Sequence, residues 1–211
     1  MATFTFFTNP MSRGQIARWA LHEVDADYDT ELVEWEAKTE AFTKANPMGK
    51  VPTLVHHHDG DHIHVVTEAA AICHYIAETH PEAGLLPEDH EKADYFRYLF
   101  FASGPVEQAV TAKAMGWEVP SDRTGLAGFG SYDRAMDTLE RMLSDRDHVC
   151  GERFTMADVY VGSQVDWGLQ FGSIPERPAF AAYADRLRSR EAYKAAKAID
   201  MKLIAEGQNN G

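Results

Sequence analysis

Two stretches of this 211-residue chain carry residues whose types and spacing suit chemistry. In the first, Ser12 follows the break Thr8-Asn9-Pro10-Met11 and precedes a run with Ile16, Trp19 and Ala20 on one helical face. Ser12 therefore reads as the N-cap of a helix over 13–23. A hydroxyl and several unpaired helical N–H groups then meet at the carboxyl end of a strand, an arrangement that can hold an anion or lower the pKa of a thiol. The second stretch is Asn46-Pro47-Met48-Gly49-Lys50-Val51-Pro52-Thr53-Leu54-Val55, which reads as two turn signals followed by a short buried strand. Pro52 lies just before that strand, where its missing N–H does least harm, and an X-Pro bond at such a place can be cis. Val51 would then offer its backbone N–H and C=O to an extended ligand, as an edge strand does. The same residues also serve in an ordinary Ser-capped helix and an ordinary loop from helix to strand.

Three other groups invite a chemical reading. Five of the ten histidines stand at 56, 57, 58, 62 and 64, around a hairpin whose turn is Asp59-Gly60. Zinc asks for about four placed ligands, and no cysteine is near, so the hairpin reads as a solvated polar turn and no metal is expected. Thr155 and Asp158 form a capping box, and Phe154 and Val159 occupy the two positions of its hydrophobic staple. That is a folding element, not a catalytic pair. The run 90–115 reads as one long helix kinked at Gly104-Pro105. Its apolar residues make a wall for an apolar cleft, or simple core, and Phe101, Val106 and Met115 are its candidates for touching a substrate.

The elements that must position these groups follow in order. Thr3-Phe4-Thr5-Phe6-Phe7 reads as a strand, 27–33 as a second, 53–56 and 62–66 as the hairpin, and 68–79 as a helix capped by Thr67. The order is β-α-β-α-β-β-α, an α/β unit on residues 1–80. A Pro/Gly-punctuated acidic linker covers 81–88, and strand signals vanish beyond it, so 89–211 reads as all-helical, with further helices over 132–143, 178–188 and 191–204 and a frayed end from 206. A formal charge of −13 argues against a nucleic-acid backbone or an anionic membrane surface as partner. No apolar segment approaches spanning length, and no basic region precedes an apolar run at the start, so neither a membrane anchor nor export is expected. The two cysteines, Cys73 and Cys150, form no CxxC and no disulfide framework, in keeping with a reducing cytoplasm.

These pieces in this order resemble the glutathione transferases over essentially the full length. The resemblance rests on Asn46-Pro-Met-Gly-Lys-Val-Pro-Thr-Leu, Val66-Thr-Glu-Ala-Ala-Ala-Ile, Ser12-Arg-Gly followed by Ala17-Arg-Trp-Ala-Leu-His-Glu, and the late Phe-Thr-Met-Ala-Asp. It implies an N-terminal thioredoxin-like domain, an all-helical C-terminal domain carrying the electrophile wall, a cytoplasmic homodimer, and a glutathione site between the halves. On that resemblance Val51 is the backbone partner of the cysteinyl part of glutathione and Pro52 the family's cis-proline. Glu68 receives the γ-glutamyl ammonium, and Lys50, with Lys38 as a second candidate, the glycyl carboxylate. Ala69 departs from the pattern, because the family usually has a serine there whose hydroxyl binds the γ-glutamyl carboxylate. No Tyr or Cys stands near the first turn, so Ser12 is the candidate thiol activator, with Thr8 and Asn9 as rivals. The implied activity is conjugation of glutathione to an electrophilic small molecule. A non-catalytic glutathione-binding or stress-interaction protein and a glutathione-dependent isomerase are the alternatives on the same scaffold.

Overall fold

A computed structural model describes residues 3–58 and 62–209. The Asp59-Gly60 turn lies outside the described residues. The chain divides into two compact units, one made of Met1–Gly84 with Ser189–Gly211, the other of Leu85–Arg188.

In the first unit, β1 (Phe4–Thr8), α1 (Gly14–Glu23), β2 (Tyr28–Leu32), α2 (Glu40–Ala45), β3 (Thr53–His57), β4 (Ile63–Thr67) and α3 (Ala69–Thr79) follow one another, as in a thioredoxin-like domain. The sheet runs β2-β1-β3-β4, with β1 and β2 parallel and the other two pairings antiparallel. Successive strand side chains point to opposite faces, and the imperfect alternation of β1 covers both. Phe7 joins Val33, Phe42 and Val55 in a cluster completed by Ala45 and Val51. Phe4 and Phe6 face the other way and are fully buried. The Arg18 guanidinium on α1 lies 5.3 Å over the Phe6 ring, a cation–π contact.

The last helix, α9 (Glu191–Asn209), belongs to this unit and not to the helical one, contrary to the expectation for 89–211. It packs along α1. Trp19 meets Tyr193 edge-on at 5.1 Å, the Arg190 guanidinium grips both oxygens of Glu23 at 2.7 and 2.6 Å, and Arg18 Nε donates to Asp200 at 2.9 Å. These partners are 167 to 182 residues apart in sequence, so no local pattern announces them. Packed in this way, α9 stays helical to Asn209 instead of fraying from 206.

The second unit is helical: α4 (Lys92–Phe101), α5 (Glu107–Ala114), α6 (Tyr132–Leu143), α7 (Met156–Gln170) and α8 (Pro178–Arg188). The helix expected over 90–115 is two helices joined by a π turn over Ala102–Val106, which contains Pro105. The wider turn accommodates a residue that has no N–H to give. Ser131 caps α6, its hydroxyl accepting the Arg134 N–H. Before α7, buried Asp158 gathers four donors: the N–H and hydroxyl of Thr155 at 2.9 and 3.1 Å, and the Val149 N–H and Tyr183 hydroxyl at 2.8 Å each. Its role is to hold the capping box and a neighbouring loop together. Among the described residues no helix is long and apolar enough to cross a membrane.

Candidate functional site

The strand pairings bring three loops to one end of the sheet. Phe7 of β1 stands opposite Thr53 of β3, and Thr53 stands opposite Thr67 of β4. The turn after Thr8, the Val51–Pro52 bond before Thr53 and Glu68 after Thr67 therefore lie side by side.

The first of these loops departs from expectation in detail. Ser12 is not the N-cap: α1 begins at Gly14, after Arg13 in a helical conformation. Ser12 Oγ nonetheless accepts the Gly14 N–H at 3.0 Å, and it donates its proton to the Asn9 carbonyl at 2.6 Å. Asn9 has both ends of its side chain engaged, Nδ2 donating to the Val33 carbonyl at 3.0 Å and Oδ1 accepting the Met11 N–H at 2.9 Å. Thr8 is fully buried, and its hydroxyl has no hydrogen-bond partner among the described residues. A Cβ at Gly14 would stand 1.8 Å from that hydroxyl oxygen, so only glycine lets the helix start rest on the strand end here. Burial takes Thr8 out of reach of a thiol. The turn thus offers helical N–H groups and, if it gives up the Asn9 carbonyl, one serine proton.

The second loop is tied from beneath by Asn46, which sequence reasoning passed over as a turn residue. Buried Asn46 donates to the Lys50 carbonyl at 2.8 Å and to Thr53 Oγ1 at 3.0 Å, and accepts the Met48 N–H at 3.1 Å. Thr53 donates to the same Lys50 carbonyl at 3.1 Å. The Val51–Pro52 peptide is cis. The Val51 side chain turns into the Phe7 cluster, which leaves its backbone as its polar contribution at the surface. Gly49 takes φ +60°, and Lys38 Nζ lies 3.3 Å from where its Cβ would be. Lys38 and exposed Lys50 therefore place two ammonium groups around one loop.

The third loop holds a backbone exception. Glu68 sits at φ 67°, ψ 117°, and precedes α3 without a side-chain cap bond. The expected Thr67 cap of a helix from 68 is replaced by a helix that starts at Ala69. A non-glycine residue at positive φ costs about 1–3 kcal/mol and is concentrated at ligand sites. The consequence here is an exposed carboxylate beside the free N–H groups of α3. Ala69 is buried and brings a methyl group where a hydroxyl would add an acceptor and donor.

Comparison with known proteins decides the family. Residues 11–79 match the N-terminal domain of glutathione S-transferases and 107–186 their C-terminal domain. "Glutathione S-transferase 1" of Schizosaccharomyces pombe is 34% identical over 184 residues, covering 79% of this chain and 75% of the relative. The chain belongs to the glutathione S-transferase family. A sphingomonad glutathione S-transferase, solved in complex with glutathione, superposes with a TM-score of 0.72 at 28% identity, over 93% of this chain and 98% of that one. A Caenorhabditis elegans protein named "Probable maleylacetoacetate isomerase" is 44% identical over 88 residues, 40% of this chain and 38% of its own length.

On this transferase scaffold His56, His57, His58 and His64 have ring or hydrogen-bond neighbours. His56 pairs across the strands with His64, and the His56 and His58 rings are 3.8 Å apart, with His58 and His64 at 4.5 Å. His56 Nδ1 meets the Tyr75 hydroxyl at 2.8 Å, and His57 Nε2 meets Thr5 Oγ1 at 2.8 Å. Burial lowers the His56 pKa, and His58, His64, His80 and His57 add to the effect. Among the described residues no three His, Cys, Asp or Glu side chains are grouped to hold a metal.

The substrate candidates of the helical unit fare unequally. Val106 has no exposed surface, and the π turn that carries it packs against α6 and α7. Phe101 is half-buried and Met115 is exposed. Sequence reasoning missed a cavity of about 290 Å³ lined by Ala109, Ala112, Lys113, Trp117, Phe129 and Tyr132, where Lys113 Nζ lies 3.7 Å from the Tyr132 ring. Its residues come from a helix end and a glycine-rich loop, which share no sequence period. Neither cysteine supplies a ready thiolate: burial pushes Cys150 up to about 11 and fully buried Cys73 higher still.

Proposed function

We propose that this protein binds glutathione at the sheet end formed by the Asn9–Ser12 turn, Val51–Pro52 and Glu68, and conjugates its thiolate to an electrophilic small molecule. The observation that carries the reading is the convergence of the cis Val51–Pro52 peptide with the positive-φ Glu68 across adjacent strands. The Val51 backbone pairs with the cysteinyl segment, and the Glu68 carboxylate takes the γ-glutamyl ammonium. Lys50 and Lys38 suit the glycyl carboxylate by charge. The γ-glutamyl carboxylate meets the N–H groups at the start of α3, without the hydroxyl that Ala69 lacks.

This binding mode carries the sulfur toward the first turn. A cysteine thiol has a reference pKa of about 8.5. The positive end of α1 contributes about 0.3–1 kcal/mol to thiolate stability, under one pKa unit, so hydrogen bonds from the turn must add to it. The thiol proton leaves to solvent, and the sulfur lone pair forms a bond to the electrophilic carbon as a leaving group departs or an added proton completes the addition. Phe101 and Met115 are the candidates on the helical unit for apolar contact with that electrophile. A cytoplasmic homodimer is part of the same proposal, supported by two free cysteines and by exposed aromatic residues on α4.

The likeness to a protein named for isomerisation favours a second reading, in which the thiolate adds to an unsaturated acid and leaves again after bond rotation. Calorimetry with glutathione, paired with turnover assays on a panel of halo-aromatic and unsaturated carbonyl electrophiles and on an unsaturated diketo acid, separates the cases. Conjugate formation supports the transferase, and isomerisation without conjugation the second reading. Tight binding with neither marks a glutathione-binding protein, and no binding sinks all three.

A further inference from the structure

The thiol-side turn is wired to α9. Lys197 Nζ on α9 donates to Gln15 Oε1 at 2.6 Å. The other end of the same side chain, Gln15 Nε2, donates to the Pro10 carbonyl at 2.5 Å. An ammonium only donates, so the Gln15 oxygen must face Lys197 and its NH₂ must face Pro10. The same peptide unit carries the Met11 N–H, which donates to Asn9 Oδ1, and around it Asn9 Nδ2 donates to the Val33 carbonyl, Ser12 Oγ to the Asn9 carbonyl and Gly14 N–H to Ser12 Oγ. Lys197, 182 residues from Gln15 in sequence, thus reaches the Pro10 carbonyl at the centre of a turn whose Asn9, Met11, Ser12 and Gly14 groups bond to one another.

We propose that Lys197 and Gln15 are positioning residues for thiol activation, with Lys197 also supplying a positive charge that favours the bound thiolate. The proposal rests on the glutathione reading above. Two physical effects act together. The first link is charge-assisted, and hydrogen bonds in series polarise one another, so the ammonium strengthens the hold of Gln15 on Pro10. The charge itself stands two hydrogen bonds from the turn and acts through a partly buried path, with the Tyr193 ring 5.6 Å from the ammonium on one side.

The remaining α9 contacts make this separable from folding. Arg18–Asp200, Arg190–Glu23 and Trp19–Tyr193 seat α9 on α1 without Lys197. Lys194, on the same helix, ends instead at Glu191, 2.7 Å away on the exposed side. Removing its charge changes the net charge of α9 equally but cuts no link to the turn.

The test compares Lys197→Met, Lys197→Arg, Gln15→Leu and Lys194→Met with the parent chain. Bound-thiolate absorbance of glutathione is titrated against pH, and kcat/KM is measured across the same range. Lys197→Met and Gln15→Leu should raise the bound-thiol pKa by about 0.3–1 unit. Below that pKa their kcat/KM should fall about 2- to 10-fold, and the difference should vanish at high pH where both thiols are ionised. Lys197→Arg should restore most of the effect, and Lys194→Met should match the parent. Without any ligand, amide exchange at Met11 and Gly14 should quicken in Lys197→Met and Gln15→Leu alone. An unchanged thiol pKa and unchanged exchange in both variants overturns the proposal, as does an equal shift in Lys194→Met. A parent chain with no bound thiolate and no turnover overturns the glutathione reading itself, and the catalytic role of the wiring with it.

Discussion

The Ser12 hydroxyl donates to the carbonyl oxygen of Asn9 across 2.6 Å. A serine has one proton to give, so serving a thiolate means leaving that carbonyl. A hydrogen bond to a charged acceptor is worth about 1.5–3 kcal/mol and an ordinary one about 0.5–1.5 kcal/mol, so the exchange gains about 1 kcal/mol. Ser12→Ala should therefore lower kcat/KM at neutral pH by about 5- to 10-fold, less than for an uncommitted hydroxyl. The lost acceptor for Gly14 N–H should also cost about 0.5–2 kcal/mol of stability in a denaturant titration. A fall beyond about 100-fold would show that Ser12 serves the thiol without competition from Asn9.

Glu68 combines an exposed carboxylate with φ 67°. Glu68→Gln keeps the backbone cost and removes the charge, so stability should hold within about 0.5 kcal/mol while glutathione affinity drops about 10-fold. Glu68→Gly removes the cost of the positive φ as well. Its melting temperature should equal or exceed that of Glu68→Ala, with affinity lost in both. Calorimetry and thermal melts read the two effects separately, and a Glu68→Gly variant less stable than Glu68→Ala would refute the strain argument.

On α4, Phe96 and Phe100 are 39% and 65% exposed and stack with their centroids 6.4 Å apart. Two large aromatic rings on one helix face are the kind of surface a second copy covers. Sedimentation at micromolar concentration should give twice the mass of one chain. Phe100→Glu should shift the equilibrium to single chains while far-UV circular dichroism stays unchanged. A parent chain that sediments singly at every concentration tested would remove the dimer from the proposal.

Local chemistry is what the sequence made legible. The Val51–Pro52 turn, the Thr155/Asp158 capping box and the bounds of α6 are all specified by residues within a few positions of one another. The expectations and the structure part where backbone angles or tertiary packing, and not residue type, decide. Ser12 loses its cap position because the helix begins at Gly14, so that its Oγ accepts the first helical N–H from one residue outside the cap. Thr67 loses its own because the backbone turns at Glu68 instead. Val106 has the same apolar character as Phe101, and only the packing of the π turn shows that it is sealed. The place of α9 depends on Arg18, Glu23 and Gln15 finding partners at the far end of the chain, information that periodicity does not hold.

The Arg18–Asp200 pair sets the last prediction. Both side chains are 1% exposed, and Arg18 Nη2 and Asp200 Oδ2 have no partner among the described residues. Burial raises the Asp200 pKa above its ordinary value, against the opposing pull of Arg18. A carboxyl with a raised folded pKa holds its proton in the folded state after the unfolded chain has released it. Its contribution to stability is therefore fully present below the unfolded value and is lost as pH rises through the folded one. Asp200→Asn removes that titration, so its stability should fall less than that of the parent between about pH 4 and neutrality. Asp200→Ala leaves the Arg18 cation buried without its carboxylate and should cost about 3–5 kcal/mol at pH 7, measured by urea unfolding. Parallel stability–pH curves for the parent and Asp200→Asn would show that Asp200 titrates alike in both states, and that Arg18 offsets the whole cost of its burial.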